Sequence, residues 1–251
     1  MDFLTASLVL IITLIMGLLM ILFARLRRDR PPDLRPLRGY RALVNQVGRA
    51  VESGRQIHFG LGHGGLHQSS SATSLAALTT LDHLAARSSA STAPPFVTVN
   101  ESTLLLAGQD SVRQAYRQSG RAGEIAAAPV QFLADSAYPM TYAAAANDLI
   151  HSAHIGSSIL LGRFGPEIAI ITEAGSRRQV AQIIGSDDPQ AIALATTVTE
   201  DVLVGEEMLA AGAYLEGKPA QVASLQAQDV MRWLAALAVL GSALVGLWGG
   251  G

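Results

Sequence analysis

The sequence predicts an α/β protein. Its sheet is expected to be mainly parallel, with a mixed or antiparallel second half, and to lie between N- and C-terminal transmembrane helices. Three observations predict this. Short apolar runs alternate with helix-spaced segments across the middle of the chain, as a helix-covered parallel sheet requires. In the second half, two apolar runs are joined only by Arg163-Phe164-Gly165-Pro166, a spacing that suits a hairpin. Both ends are almost unbrokenly apolar, in a chain of 251 residues that is 49% hydrophobic and 15% charged.

The first element is Phe3 to Ala24. At 1.5 Å per residue its ~22 residues span about 33 Å, enough for the hydrocarbon core. It starts at Asp2 and ends in the arginine-rich RLRRDR, the reverse of a cleaved signal peptide. Residues 1–24 are therefore read as a transmembrane helix and 25–36 as a basic juxtamembrane linker. From Ala24 to Leu43 there are seven arginines against Asp29 and Asp33, a net charge of +5. Positive flanks stay in the cytoplasm. The cell membrane is thus the expected location, with both termini outside and a cytoplasmic α/β domain over 37–228. The same arginines suit anionic lipid, so the bilayer is the first expected partner. The closing element, 231–248, is a short transmembrane helix between Trp233 and Trp248, placed as interfacial aromatics would be. Ser242 and Gly246 form a small-residue pair that suits helix–helix approach.

Within the body, Arg30-Pro31-Pro32-Asp33 is a stiff linker. Leu37 to Glu52 has helical spacing. Gln56 to Phe59 reads as a strand, Ser71 to Ala86 as a helix, and 96–99 as a strand after Pro94-Pro95. Asn100 or Ser102 caps a helix that Ser119-Gly120 stops. The stretch 88–93 is a loop. Val130 to Leu133 is a strand and Tyr142 to His151 a helix. Ser157 to Gly162, Glu167 to Thr172 and Gln179 to Ile184 read as three further strands. Asp188-Pro189 opens a helix with a capping carboxylate and proline at the first helical position. Glu206 to Tyr214 is another helix, and Gly217-Lys218-Pro219 a break.

Composition excludes several chemistries. The chain has no cysteine, so disulfides and thiolate sites are absent. Residues 45–228 carry 10 basic and 16 acidic side chains, and an acidic body is not expected to bind nucleic acid. Gly60-x-Gly62-x-x-Gly65 follows a predicted strand and fits the dinucleotide fingerprint of a Rossmann-like fold. Glycines there would let the backbone approach a phosphate, and the next helix would offer its amides. The helix begins late, however, near Ser71. The acidic residue expected ~20 positions on is missing, since Glu101 lies roughly 36 on. The bland alternative is a tight turn capped by Ser69, Ser70 or Ser71. His58, His63 and His67 lie among flexible glycines and lack a metal-binding helix. No serine stands in a nucleophile elbow. The pairs Asp187-Asp188 and Glu206-Glu207 read as a cap and a solvated first turn.

In an open parallel sheet, ligands bind outside the carboxyl ends of the strands. Those ends would carry Gly60, Gly62, Gly64, Gly65, Ser69, Ser70, Ser71, Asn100, Glu101, Asp135 and Glu173, the best candidate ligand-binding edge. No catalytic residue or metal site is assigned, and no cofactor is indicated.

The glycine loop, Gly185-Ser186-Asp187-Asp188-Pro189-Gln190, and GEEMLAAGAYLEGKPA at 205–220 resemble those of a family of bacterial membrane proteins catalogued as a domain of unknown function. Its similarity covers roughly Arg38 to Trp233 and includes the SATSLAALTTLDHLA helix at 71–85. The resemblance implies a tethered domain and carries no activity. The functional expectation is a non-enzymatic, membrane-tethered binding or scaffold protein. The first alternative is a nucleotide- or phosphate-binding enzyme or sensor using Gly60–Gly65. The second is an accessory subunit of a larger membrane complex. Alanine-rich helices leave room for a homo-oligomer or a membrane-complex partner.

Overall fold

The computed structural model describes residues 3–26, 34–67, 69–89, 94–124, 130–152 and 154–248. The Arg30–Asp33 linker and most of the 88–93 loop fall outside them, as do the side chains of Ser242 and Trp248 and the surroundings of Gly246.

The chain divides into two units, Met1–Leu34 with Glu216–Gly251, and Arg35–Leu215. In the first unit, α1 (Phe3–Leu26) packs against α9 (Pro219–Trp248). Among the described residues one helix is long and apolar enough to cross a membrane, over Thr5–Leu26. The second expected span is not a separate helix. It is the end of the 30-residue α9, whose Trp233, Leu237 and Leu240 are exposed.

The second unit is a six-stranded sheet of order β3-β2-β1-β4-β5-β6. The strands are β1 (Gln56–Gly62), β2 (Phe96–Val99), β3 (Val130–Phe132), β4 (Ile155–Arg163), β5 (Ala181–Ser186) and β6 (Val202–Val204). Every pairing is parallel. The expected mixed or antiparallel half is therefore wrong. Its supposed strand at Glu167 to Thr172 is helix α6 (Ile168–Arg177). Ile168, Ile171, Thr172, Ala174 and Gly175 are its buried residues at helical spacing, so one face packs on the sheet. Glu173 is thus on a helix, paired with Arg177 at 2.7 Å, and is not at a strand end.

One face of the sheet is covered by α2 (Arg38–Ser53), α3 (Ser71–Ser88), α4 (Ser102–Gln118) and α8 (Ala211–Leu215). The core there is Leu43, Phe59, Leu61, Leu81, Val97, Ile159 and Ile183. The other face is covered by α5 (Pro139–Ser152), α6 and α7 (Pro189–Ala195), around Leu160, Phe164 and Ile184. Alternation along β1 explains both layers: Ile57, Phe59 and Leu61 enter the first core, while His58 and Gly60 face the second.

His58 is fully buried and bonded on both ring nitrogens, Nδ1 to Ser158 Oγ and Nε2 to Thr98 Oγ1, each at 2.9 Å. Thr98 Oγ1 in turn meets the Tyr142 hydroxyl at 2.8 Å. Burial raises the Tyr142 pKa, and the nearby Glu167 charge adds to it. On the opposite face, Tyr40 stacks on Tyr214 with ring centroids 5.2 Å apart and donates to the carbonyls of Glu207 and Met208. Glu207 accepts from Arg35 and from the Val204 amide, so it is not the solvated residue expected.

Candidate functional site

In a sheet of this order the connections leave β1 and β4 toward opposite faces, which opens a crevice at their carboxyl ends. β1 and β4 pair up to Gly60–Leu160 and resume at Gly62–Arg163, so β4 carries one extra residue. This bulge rests on two glycines. Gly62 has φ +69°, and a Cβ there would lie 2.3 Å from the Arg163 carbonyl oxygen. Gly162 has φ +148°, and its Cβ would lie 2.1 Å from the Leu61 carbonyl oxygen. Only glycine permits this approach. Just beyond it, the His63 amide donates to the Arg163 carbonyl at 2.8 Å. The bulge therefore sets His63 and Arg163 side by side at the crevice.

The predicted glycines divide by role. Gly60 and Gly62 serve strand packing, and a Cβ on Gly60 would lie 2.9 Å from the Tyr142 hydroxyl. Gly64 faces the start of α3, where an added Cβ would meet Ser70 Oγ at 2.8 Å, Ser74 Oγ at 2.9 Å and Arg163 Cβ at 3.1 Å. Gly65 is buried beside it. Ser70 occupies the N-cap position but makes no side-chain cap, contrary to expectation. Ser69 receives a long contact of 3.4 Å from Arg163, and Ser71 opens the helix. The first-turn amides of α3 are thus uncapped by any side chain, and no acidic residue stands in that turn.

Buried polar atoms without a hydrogen-bond partner gather at this edge: His63 Nε2, Ser70 Oγ, Ser74 Oγ, both amide atoms of Asn100, and Asp187 Oδ1. Ser70, Ser74 and Asn100 are at most 1% exposed. Buried polar groups are nearly always paired, so this gathering asks for a ligand or ordered water. Arg163 is 3.9 Å from Asp187, which accepts from Thr73 at 3.1 Å. His63 Nε2 stands 3.4 Å from Glu167 Oε1, and Glu167 is 3% exposed.

Glu101 stands two residues beyond the end of β2, the topological place of the missing acidic residue. One of its oxygens caps α4 through the Thr103 and Leu104 amides. Asp135 is exposed and folds back on the Ala137 amide at 2.9 Å, outside the cluster. Asp188 caps α7 as expected. His58 lies inside the sheet and His67 is exposed, so the three histidines of the loop do not converge. Among the described residues no group of three or more His, Asp or Glu is placed to hold a metal.

Arg163, Glu167, Asp187 and Ser74 join this candidate edge, and no sequence motif singles them out. A cavity of about 530 Å³ lies elsewhere, at the amino ends of the strands between Arg49, Arg55, Gly156 and Gln179. No orphaned buried group lines it, and Gln46 is bonded there to Ser157. The carboxyl edge is therefore the better candidate.

No curated protein and no solved structure matches the chain. The profile described as Domain of unknown function (DUF6754) matches residues 2–248, and the chain belongs to that family.

Proposed function

We propose that this chain is a membrane-tethered domain that binds a phosphate-bearing ligand of nucleotide type where the strand order reverses. One observation carries the reading: two buried, unpartnered serine hydroxyls stand at the uncapped start of α3, beside Arg163. A helix N-terminus attracts an anion through its free amides and its dipole. Ser70 and Ser74 supply two donors, and Arg163 a fixed positive charge. Asn100 and Glu101, just beyond β2, would meet the sugar or base. Asp187 disfavours an anion, but Thr73 and Arg163 engage its carboxylate.

Isothermal titration of the full chain in detergent with pyrophosphate, ADP and NAD tests this. At least one should bind. Arg163→Ala should weaken it about 10- to 100-fold, the usual worth of a charged hydrogen bond. Binding unchanged in both Arg163→Ala and Gly64→Val would remove the ligand from this edge.

The tether is read as two spans, α1 and the last part of α9, with the body cytoplasmic. The arginines after α1 and the exposed apolar side chains of α9 support it. Because the chain lacks cysteine, single cysteines at Asp2 and Asp135 report orientation. In intact cells an impermeant maleimide should label only the first. Labelling of the second without permeabilisation would reverse the topology.

A further inference from the structure

We infer that His63 and Glu167 form a proton-transfer pair, and that the site hydrolyses the phosphate ester or anhydride it binds. The inference rests on the phosphate-binding reading above. His63 directly follows β1 and precedes Gly64, which faces the serine hydroxyls. Its Nε2 lies 3.4 Å from Glu167 Oε1 without a hydrogen bond between them in this structure, a separation that commonly tightens when substrate binds. Glu167 is itself fixed. The Gly165 amide donates to Oε1 at 2.7 Å, and the residue immediately precedes α6, where a negative charge is favoured.

A buried carboxylate facing one imidazole nitrogen orients the ring and keeps the proton on that nitrogen. The other nitrogen, Nδ1, then carries the lone pair. His63 is only partly buried, so water can reach its ring. The pair is an oriented base beside an anion seat, which hydrolysis requires.

In the step, a water oxygen forms a bond to phosphorus. The bond from phosphorus to the leaving oxygen breaks, and its electron pair departs with that oxygen. The water proton passes to His63 Nδ1 and then to the leaving group or solvent. Arg163, Ser70, Ser74 and the α3 amides hold the phosphoryl oxygens, where charge accumulates. Water is the only co-reactant. His63 is the base, and Glu167 is a positioning residue that acts through it.

The test measures phosphate release by the full chain in detergent from p-nitrophenyl phosphate, ADP and pyrophosphate. Binding of the same probes is measured alongside. Wild type should release phosphate above the blank, and His63→Gln should lower kcat about 10²- to 10⁴-fold. Probe affinity should stay within about threefold, since the base contributes little to ground-state binding. Glu167→Gln should lower kcat with little change in KM and alter the pH profile, which a purely structural pair would not do. Binding without release, or release equal in wild type and both variants, overturns the proposal and leaves the binding reading standing. No binding by any probe removes both.

Discussion

Gly162→Ala should destabilise the Arg35–Leu215 unit by about 4 kcal/mol or more, the range reached when backbone strain and a core clash coincide. The residue sits at φ +148°, where an L side chain is strained whatever the space. Its Cβ would also stand 2.1 Å from a backbone oxygen, which has no rotamer to move into. Relief requires β1 and β4 to separate at the bulge, which would carry His63 and Arg163 apart. Gly48→Ala is the control. Gly48 lies in α2 with nothing near its would-be Cβ, so alanine there should stabilise by about 0.5–1 kcal/mol. Urea unfolding followed by circular dichroism reads both. A Gly162→Ala midpoint close to wild type would mean that the bulge is not as described.

Lowering the pH from 7 to 4 should cost this unit about 3 kcal/mol through His58 alone, at 1.36 kcal/mol per pKa unit. Burial lowers the His58 pKa from 6.5 to about 4. The folded state therefore holds the proton less tightly than the unfolded chain. The stability His58 provides is complete above pH 6.5 and is lost as pH falls toward 4. His58→Gln removes the titration. The stability advantage of wild type over this variant should shrink by about 3 kcal/mol between pH 7 and 4. A constant difference across that range would contradict the burial of a neutral imidazole. His58 is a structural group: it ties β4, β1 and β2 together through Ser158 and Thr98.

Most of the fold was legible because helices and strands announce themselves locally. Asp188-Pro189 marked the start of α7, and Ser119-Gly120 the end of α4. The apolar content of Glu167 to Thr172 suggests a strand, but its spacing is that of α6. The buried set 168, 171, 172, 174 and 175 is helical, and a lone run of isoleucines hides that period. β6 is three residues long like β3, but its sequence lacks the proline that sets β3 off from the segment before it. Strand order lies beyond any local signal, since it is set by which strands pair across the chain.

The site was half legible for the same reason. Gly64, Gly65 and Ser69 to Ser71 are consecutive with the turn and could be read from it. Glu101 was discounted by counting residues, but the long α3 and the segment before β2 stretch that count without moving the strand end. Arg163 and Glu167 carry no motif. They reach His63 only because β4 pairs with β1, about 100 residues away in sequence.

Hydrogen–deuterium exchange of the full chain in detergent, with and without saturating ADP or pyrophosphate, tests the central claim most directly. The account predicts that ligand slows exchange at residues 62–74 and 163–167, the turn into α3 and the end of β4. Protection confined to the amino ends of the strands, around Arg49, Arg55 and Gly156, or no protection at all, would contradict it.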